Sequence, residues 1–378
     1  MRRPTGLIIG TLLTLGLVAG ACGGSSDDES AESSPATTVA TADAPTGADG
    51  KISAERCAKN KAAGTITFLT SFDYAAAASI IDVVTAADQG HYSALCLDVK
   101  LQPGVSSSNV ALVSTGTAQM TSLGSFSEVA VANSQGAGLV AVGVEGHTSI
   151  EELLVEKAAN ITDLKQLEGK SMGIKGAIPY SLRALLAAKG VDEKKITQIE
   201  VDFNPVVLFQ TDIVALPVYK SNEPGQLDAQ GYAGKYTAFD PRDNNIPASF
   251  AVFTTSKSFA QKHPTAVADF LRATLKGFQY AADKPDAAVA ATLKRSDPKL
   301  YFNPAGEAFR WKTELALVRS STPKGSAVGA IDAAALQAEV DSLVKLGVLA
   351  KGSVDVAASI NSSFMGEITK NGELIWIG

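Results

Sequence analysis

Hydrophobic positions along the chain alternate between two periods. Short β-branched or apolar runs recur, each closed by a Gly, Ser or Asn turn and followed by a stretch with apolar residues at helical spacing. The pattern predicts strands at 65–70 (TITFLT), 97–101, 119–123, 139–144, 171–175, 196–202, 213–218 (stopping at Pro217) and 248–254. Between them it predicts helices at 75–87, after the turns at 104–109 and 124–128, and at 182–189, with a short helix capped by Thr162-Asp163-Leu164. From about residue 250 the pattern turns helical. An amphipathic helix spans 264–282 behind the start signal His263-Pro264, and further helices fall at about 286–296, 304–318 and 331–347. Strand, turn, helix in repetition means βα units and mostly parallel sheets, an α/β fold.

The amino terminus follows neither period. Arg2 and Arg3 precede an apolar run over 7–19 that is short for a bilayer span and reads as a secretory signal peptide over 1–21. The run ends Leu17-Val18-Ala19-Gly20-Ala21-Cys22, which resembles a bacterial lipobox. The resemblance implies cleavage before Cys22, a lipid on its sulfur and anchoring of the product to the cell membrane. The alternative is an ordinary signal peptide that contains a cysteine. Residues 23–50 are Gly, Ser, Thr, Ala, Pro and acids with Val39 as the one bulky apolar residue, too little to fold, so 22–50 is expected to be a disordered tether.

Composition then narrows the partners. The 378 residues are 46% hydrophobic with a net charge of −6, and the six acids between 22 and 50 account for that charge, leaving the body nearly neutral. Nucleic acid, which needs a basic surface, is not the expected partner. With Cys22 assigned to lipid, Cys57 and Cys96 remain as a pair in an oxidising compartment, to be bonded to each other or left as two buried thiols.

Four stretches carry a family resemblance: LQPGVSSSNVALVSTGTAQMTSLGSFSEVA (101–130), ITDLKQLEGKSMGI (161–174), TDIVALPVYKSNEPGQL (211–227) and ASFAVFTTSKSFAQKHPTAVADFLRATLKGFQYA (248–281). With them the chain resembles substrate-binding proteins of ABC importers, in the group that takes sulfonates, nitrate, taurine and thiamine-pyrimidine precursors. The resemblance implies a two-lobed, type II periplasmic-binding-protein-like fold with a hinged cleft. The lobes would be 51–148 with 249–378, and 149–248. It also implies a small-molecule ligand, a permease and ATPase complex as partner, and action as a monomer without cofactor or metal.

Ligands of open α/β sheets sit beyond the carboxyl ends of strands, at helix starts. That rule selects Phe72, Asp73, Tyr74, Ser106, Ser107, Ser125, Phe126, Tyr180 and Ser181. Hydroxyls and turn N–H groups there suit polar ligand atoms, and the aromatic rings suit a flat ligand. Each such Ser also has the plainer role of a helix cap. The resemblance adds Asn222 and Glu223, from Asn222-Glu223-Pro224, and a carboxylate there suits an amino-bearing heterocycle or a cation. Arg183 and Arg242 offer the opposite, an anion clamp, or are surface ion partners. Where pyrimidine-precursor binders carry a tryptophan after the first strand, this chain has Ser71-Phe72-Asp73-Tyr74; its two tryptophans are Trp311 and Trp376.

Catalytic signatures are sparse. His91, His147 and His263 have no metal-ligand spacing, although His147 falls near the expected hinge, and no CxxC, phosphate loop or GxSxG elbow occurs. Three readings follow: a solute receptor that captures an aromatic nitrogen heterocycle, or else a sulfonate-type anion; a lipid-anchored enzyme; and a sensory lipoprotein of the same fold.

Overall fold

The computed structural model describes residues 46–47, 50–300 and 302–378. The expected signal peptide, Cys22 and nearly all of the expected tether lie outside them. Among the described residues ten strands build the two large sheets: β1 (Thr65–Leu69), β2 (Asp98–Gln102), β3 (Met120–Leu123), β4 (Leu139–Gly146), β5 (Glu151–Glu156), β6 (Ser171–Ile174), β7 (Thr197–Glu200), β8 (Ala215–Tyr219), β9 (Tyr236–Phe239) and β10 (Phe250–Ser256). They form two five-stranded sheets, ordered β2-β1-β3-β10-β4 and β7-β6-β8-β5-β9. In the first, β1 is parallel to β2 and β3, and β10 inserts antiparallel between β3 and β4. In the second, β6 is parallel to β7 and β8, while β5 is antiparallel to β8 and β9. The chain therefore crosses between sheets twice, after β4 and before β10. Gly146, where the first crossing starts, has no alternative: a Cβ there would lie 1.9 Å from the Phe250 ring.

The first sheet carries most of the core. Its long helix Pro264–Asp283 begins at a proline that fixes φ where no N–H bond is needed, and buries one face against helix Ile81–Asp88. The two helices approach closely at Gly277, where a Cβ would lie 2.1 Å from the backbone oxygen of Asp82. Phe270 stacks on Phe68 and Tyr92, with ring centroids 5.4 and 5.0 Å apart. The carboxyl-terminal helices return to this body: Trp311 of helix Pro304–Ser321 meets Phe278 edge-on, and Leu336, Val340 and Leu343 of helix Ala333–Lys345 join Phe126 and Val129. The second sheet has its own clusters, around Leu153, Leu182 and Leu185 on one face and Leu154, Leu208 and Leu216 on the other. Among the described residues no helix is long and apolar enough to cross a membrane.

The amino-terminal helix Ala54–Lys61 is tied down twice. Cys57 and Cys96 form a disulfide. Beside it Arg56 grips Asp269 with two hydrogen bonds of 2.6 and 2.9 Å, both side chains being buried.

Three expectations change. The helix at 75–87 is shorter: residues 75–80 are a loop, with Ser79 at φ 61°, and the helix starts at Ile81. Apolar spacing favours a helix there, but the N–H groups of Ala76, Ala78 and Ser79 are taken by the carboxylates of Glu307, Glu314 and Glu145 instead. β5 and β9 are strands that the pattern did not mark, because Glu151-Glu152 and Glu156 break the apolar run in one and the other is four residues long. β8 does not stop at Pro217 but continues to Tyr219; its pairing with β6 is confined to Ala215, so the missing N–H costs nothing on that side.

Two stability predictions follow. Replacing Cys57 and Cys96 by serine opens a loop with a sequence separation of 39. In the chain-entropy model this costs roughly 3–4 kcal/mol, to be read as a lower urea midpoint. Gly277→Ala forces the two helices apart and is expected to cost about 1–3 kcal/mol in the same assay.

Candidate functional site

The carboxyl ends of β1, β3, β6 and β8 face one another across a cavity of about 460 Å³. This is where parallel strands end and turns leave backbone N–H groups and side chains unclaimed by the sheet. From the first sheet it is lined by the loop after β1, including Phe72 and Ser79, by Val105, Ser106 and Ser107, and by Glu128. From the second come Lys175 after β6, Phe203 after β7, Glu151 at the start of β5, Tyr219 at the end of β8, and Asn222 and Glu223 after it. Arg310 and Glu314 of helix Pro304–Ser321 complete the wall.

Most polar groups in the lining already have partners. Ser106 donates to Glu128 over 2.6 Å and accepts from the Gly124 N–H. Glu223 is buried, accepts from the Tyr219 N–H at 2.9 Å and pairs with Lys175. The Lys175 ammonium also lies 5.8 Å from the centre of the Phe203 ring, which is 70% exposed. Arg310 donates to Asn222 at 2.8 Å and to Glu307 at 3.1 Å. Burial pushes the carboxyls of Glu128, Glu151 and Glu314 up from the ordinary range. Tyr219 is 45% exposed, yet desolvation on its cavity side, with Glu151, Glu128, Glu223 and Glu314 around it, raises its phenol, which stays a neutral hydroxyl. Behind the cavity floor Asp82 and Glu145 share a fully buried site; desolvation pushes Asp82 up to about 7 against its hydrogen bond with Glu145, and desolvation with the charge of Asp82 holds Glu145 well above the carboxylate range.

Of the residues selected from the sequence, Phe72, Ser106, Ser107, Asn222 and Glu223 line the cavity. The others stand elsewhere. Tyr74 is packed with Ile80 and Val84, and Phe126 is in the hydrophobic core. Asp73 accepts from the Asp297 N–H at 3.0 Å. Ser125, Tyr180 and Ser181 border a second, polar cavity of about 20 Å³, the size of a single water. Glu151 lines both cavities, and Ser181 donates to it at 2.9 Å. Arg183 pairs with Glu193 and Arg242 lies beside Asp240, so neither reaches the cleft. His91 packs on Trp376, His263 on Phe259, and the backbone N–H of His147 bonds to Ser321; none of the three lines the cavity. Lys175, Phe203 and Tyr219 escaped the sequence reading although each stands at or just beyond a strand's carboxyl end, the same signal that marked Phe72. Arg310 and Glu314 carried no such signal.

The comparison with protein families decides the lineage. The family model described as NMT1/THI5 like matches residues 77–288. The chain belongs to the NMT1/THI5-like family. Among relatives, it is 30% identical over 138 residues to the riboflavin-binding protein RibY of Chloroflexus aurantiacus, covering 35% of this chain and 38% of that one. It is 23% identical over 220 residues to the formylaminopyrimidine-binding protein of Halalkalibacterium halodurans, covering 56% and 65%. The matched region thus spans less than two thirds of either relative. Among solved structures, the alkanesulfonate-binding protein SsuA of Xanthomonas axonopodis pv. citri, bound to MOPS, superposes with a TM-score of 0.60 at 14% identity, over 79% of this chain and 98% of that one. This likeness gives the NMT1/THI5-like chain its fold, that of periplasmic binding proteins; ligand and chemistry are decided by the site.

The small cavity supplies a pH test. Glu339 accepts from the Ser127 N–H and hydroxyl and from the Ser249 hydroxyl, at 2.6–2.8 Å. Burial pushes its carboxyl up to about 7. The folded chain then holds a proton that the unfolded chain releases near pH 4.3, so stability falls as pH rises from there to about 7 and then levels. Glu339→Gln keeps the shape and removes that slope, on the order of 3 kcal/mol across the interval, as measured by urea unfolding at stepped pH.

Proposed function

We propose that this protein is the extracytoplasmic solute receptor of an ABC importer. Its ligand is a small, neutral or cationic aromatic nitrogen heterocycle, a thiamine-precursor pyrimidine or a flavin. Residues 51–148 with 249–378 move as one lobe and 149–248 as the other, closing on the ligand and presenting the closed form to a permease. The leader over 1–21 and lipid on Cys22 hold the receptor at the membrane as a monomer.

The observation that carries this reading is the charge of the cleft. Among the described residues its lining holds four carboxyl side chains, Glu128, Glu151, Glu223 and Glu314, against two bases, Lys175 and Arg310, each already paired with a carboxylate. A sulfonate entering such a site meets committed cations and raised carboxyls. A heterocycle finds hydroxyl and carboxyl donors and acceptors, and faces for stacking in Phe72, Phe203 and Tyr219. The ligands named for the two relatives are of that class.

A thermal-shift panel of riboflavin, formylaminopyrimidine, MOPS, taurine and nitrate tests the proposal. A heterocycle at 100 times its Kd is expected to stabilise by about 2.7 kcal/mol. Phe72→Ala is expected to weaken that heterocycle about tenfold. Glu223→Gln, which leaves Lys175 unpaired, is expected to weaken it as well. A shift with MOPS or taurine alone, strengthened by Glu223→Gln, would overturn the heterocycle reading.

A further inference from the structure

Helix Pro304–Ser321 lies beyond the residues matched by the family model, yet it holds groups from both sides of the cleft at once. Glu314 divides its two oxygens between the sheets. Oε2 accepts from the Ala78 N–H, in the loop after β1, at 2.7 Å; Oε1 accepts from the Ser221 hydroxyl, in the turn after β8, at 2.7 Å. One turn earlier a second bridge runs in parallel. The Ala76 N–H donates to Glu307 at 2.6 Å, Glu307 accepts from Arg310 at 3.1 Å, and Arg310 donates to Asn222 at 2.8 Å. Phe309 adds an apolar contact, its ring so near Gly225 that a Cβ there would meet it at 2.6 Å. Glu307, Arg310 and Glu314 are spaced three and four apart, so they share one face of the helix.

We propose that this face is a clasp, with Glu314 and Arg310 as positioning residues that set how firmly the cleft stays closed. The helix itself is fixed to the first sheet's body through Trp311, Leu317 and Val318, in one apolar cluster with Phe250 and Phe278. Its bonds to Ser221 and Asn222 are therefore the ones that separation of the lobes would break. All four groups are buried or half-buried, so each hydrogen bond lost on opening must be replaced by water reaching a shielded site. Because Arg310 and Glu314 also line the cavity, the clasp closes directly over the ligand and slows its escape. The inference deepens the receptor reading and rests on it, since a clasp has work only where lobes separate, but it does not depend on which ligand binds.

Its test is made without ligand. Spin labels are placed on Lys100→Cys and Lys194→Cys, two exposed positions on the first and second sheets' bodies, in the full chain carrying Cys22→Ala. The interlobe distance distribution is then measured. Glu314→Ala and Arg310→Ala are each expected to raise the ratio of open to closed protein about tenfold. Ser221→Ala removes only the second-lobe end of the bridge, leaves the helix packed, and is expected to act in the same direction should Glu314→Ala not fold. Where riboflavin or formylaminopyrimidine binds, the same variants are expected to release it about tenfold faster. An unchanged distance distribution in Ser221→Ala and Arg310→Ala overturns the clasp. Failure of every panel compound to bind overturns the heterocycle reading and leaves the distances to judge the clasp.

Discussion

The arrangement of the cleft depends on how the loop at 75–80 satisfies its backbone. Three of its N–H groups, on Ala76, Ala78 and Ser79, are buried where no strand or helix pairs them. An unpaired buried donor costs about 1–3 kcal/mol, so a loop with three of them does not hold without partners. The partners are carboxylates from three distant positions: Glu307 and Glu314 on a carboxyl-terminal helix, and Glu145 at the end of β4. They keep residues 75–80 out of the helix that the alanine-rich sequence favours, and so leave the loop open at the cavity, where Ala75, Ala77, Ala78, Ser79 and Ile80 line the wall.

That solution sets the electrostatics of the whole site. Carboxyls taken out of water are kept only where N–H and O–H groups converge on them. Glu314, Glu151, Glu128 and Glu339 each have such donors, and each titrates above its ordinary range because burial outweighs the hydrogen bonds. The cleft therefore offers carboxyl and phenol groups that stay protonated longer than they would in water, beside ion pairs already closed on themselves. Such a surface reads a ligand by hydrogen bonds and stacking more than by net charge.

The βα order was legible because each strand and its turn announce themselves locally. TITFLT at 65–70 and the alternation at 97–101 lie within a residue of β1 and β2, and His263-Pro264 starts the long helix where Pro264 begins it. β5 was not legible: three glutamates in six residues mask a strand whose central Leu153-Leu154-Val155 is buried only because β8 and β9 flank it. The site was legible in the same degree. Phe72 and Ser106 follow strand ends in sequence and line the cavity, whereas Phe126 follows one equally well and points into the core. Which side of a turn faces the opposite sheet is not a local property.

The amino-acid sequence by itself determined the α/β class, the order of most elements, the cysteine pair that the fold joins and the family to which the chain belongs. These rest on short-range periodicity and on stretches read in one pass. Only the tertiary structure decided which carboxyl groups meet which backbone donors. Glu314 is 236 residues from the N–H it accepts and 93 from the hydroxyl on the other side of the cleft. No pattern in one dimension encodes that meeting, because it is fixed by where two sheets and a returning helix close on one another.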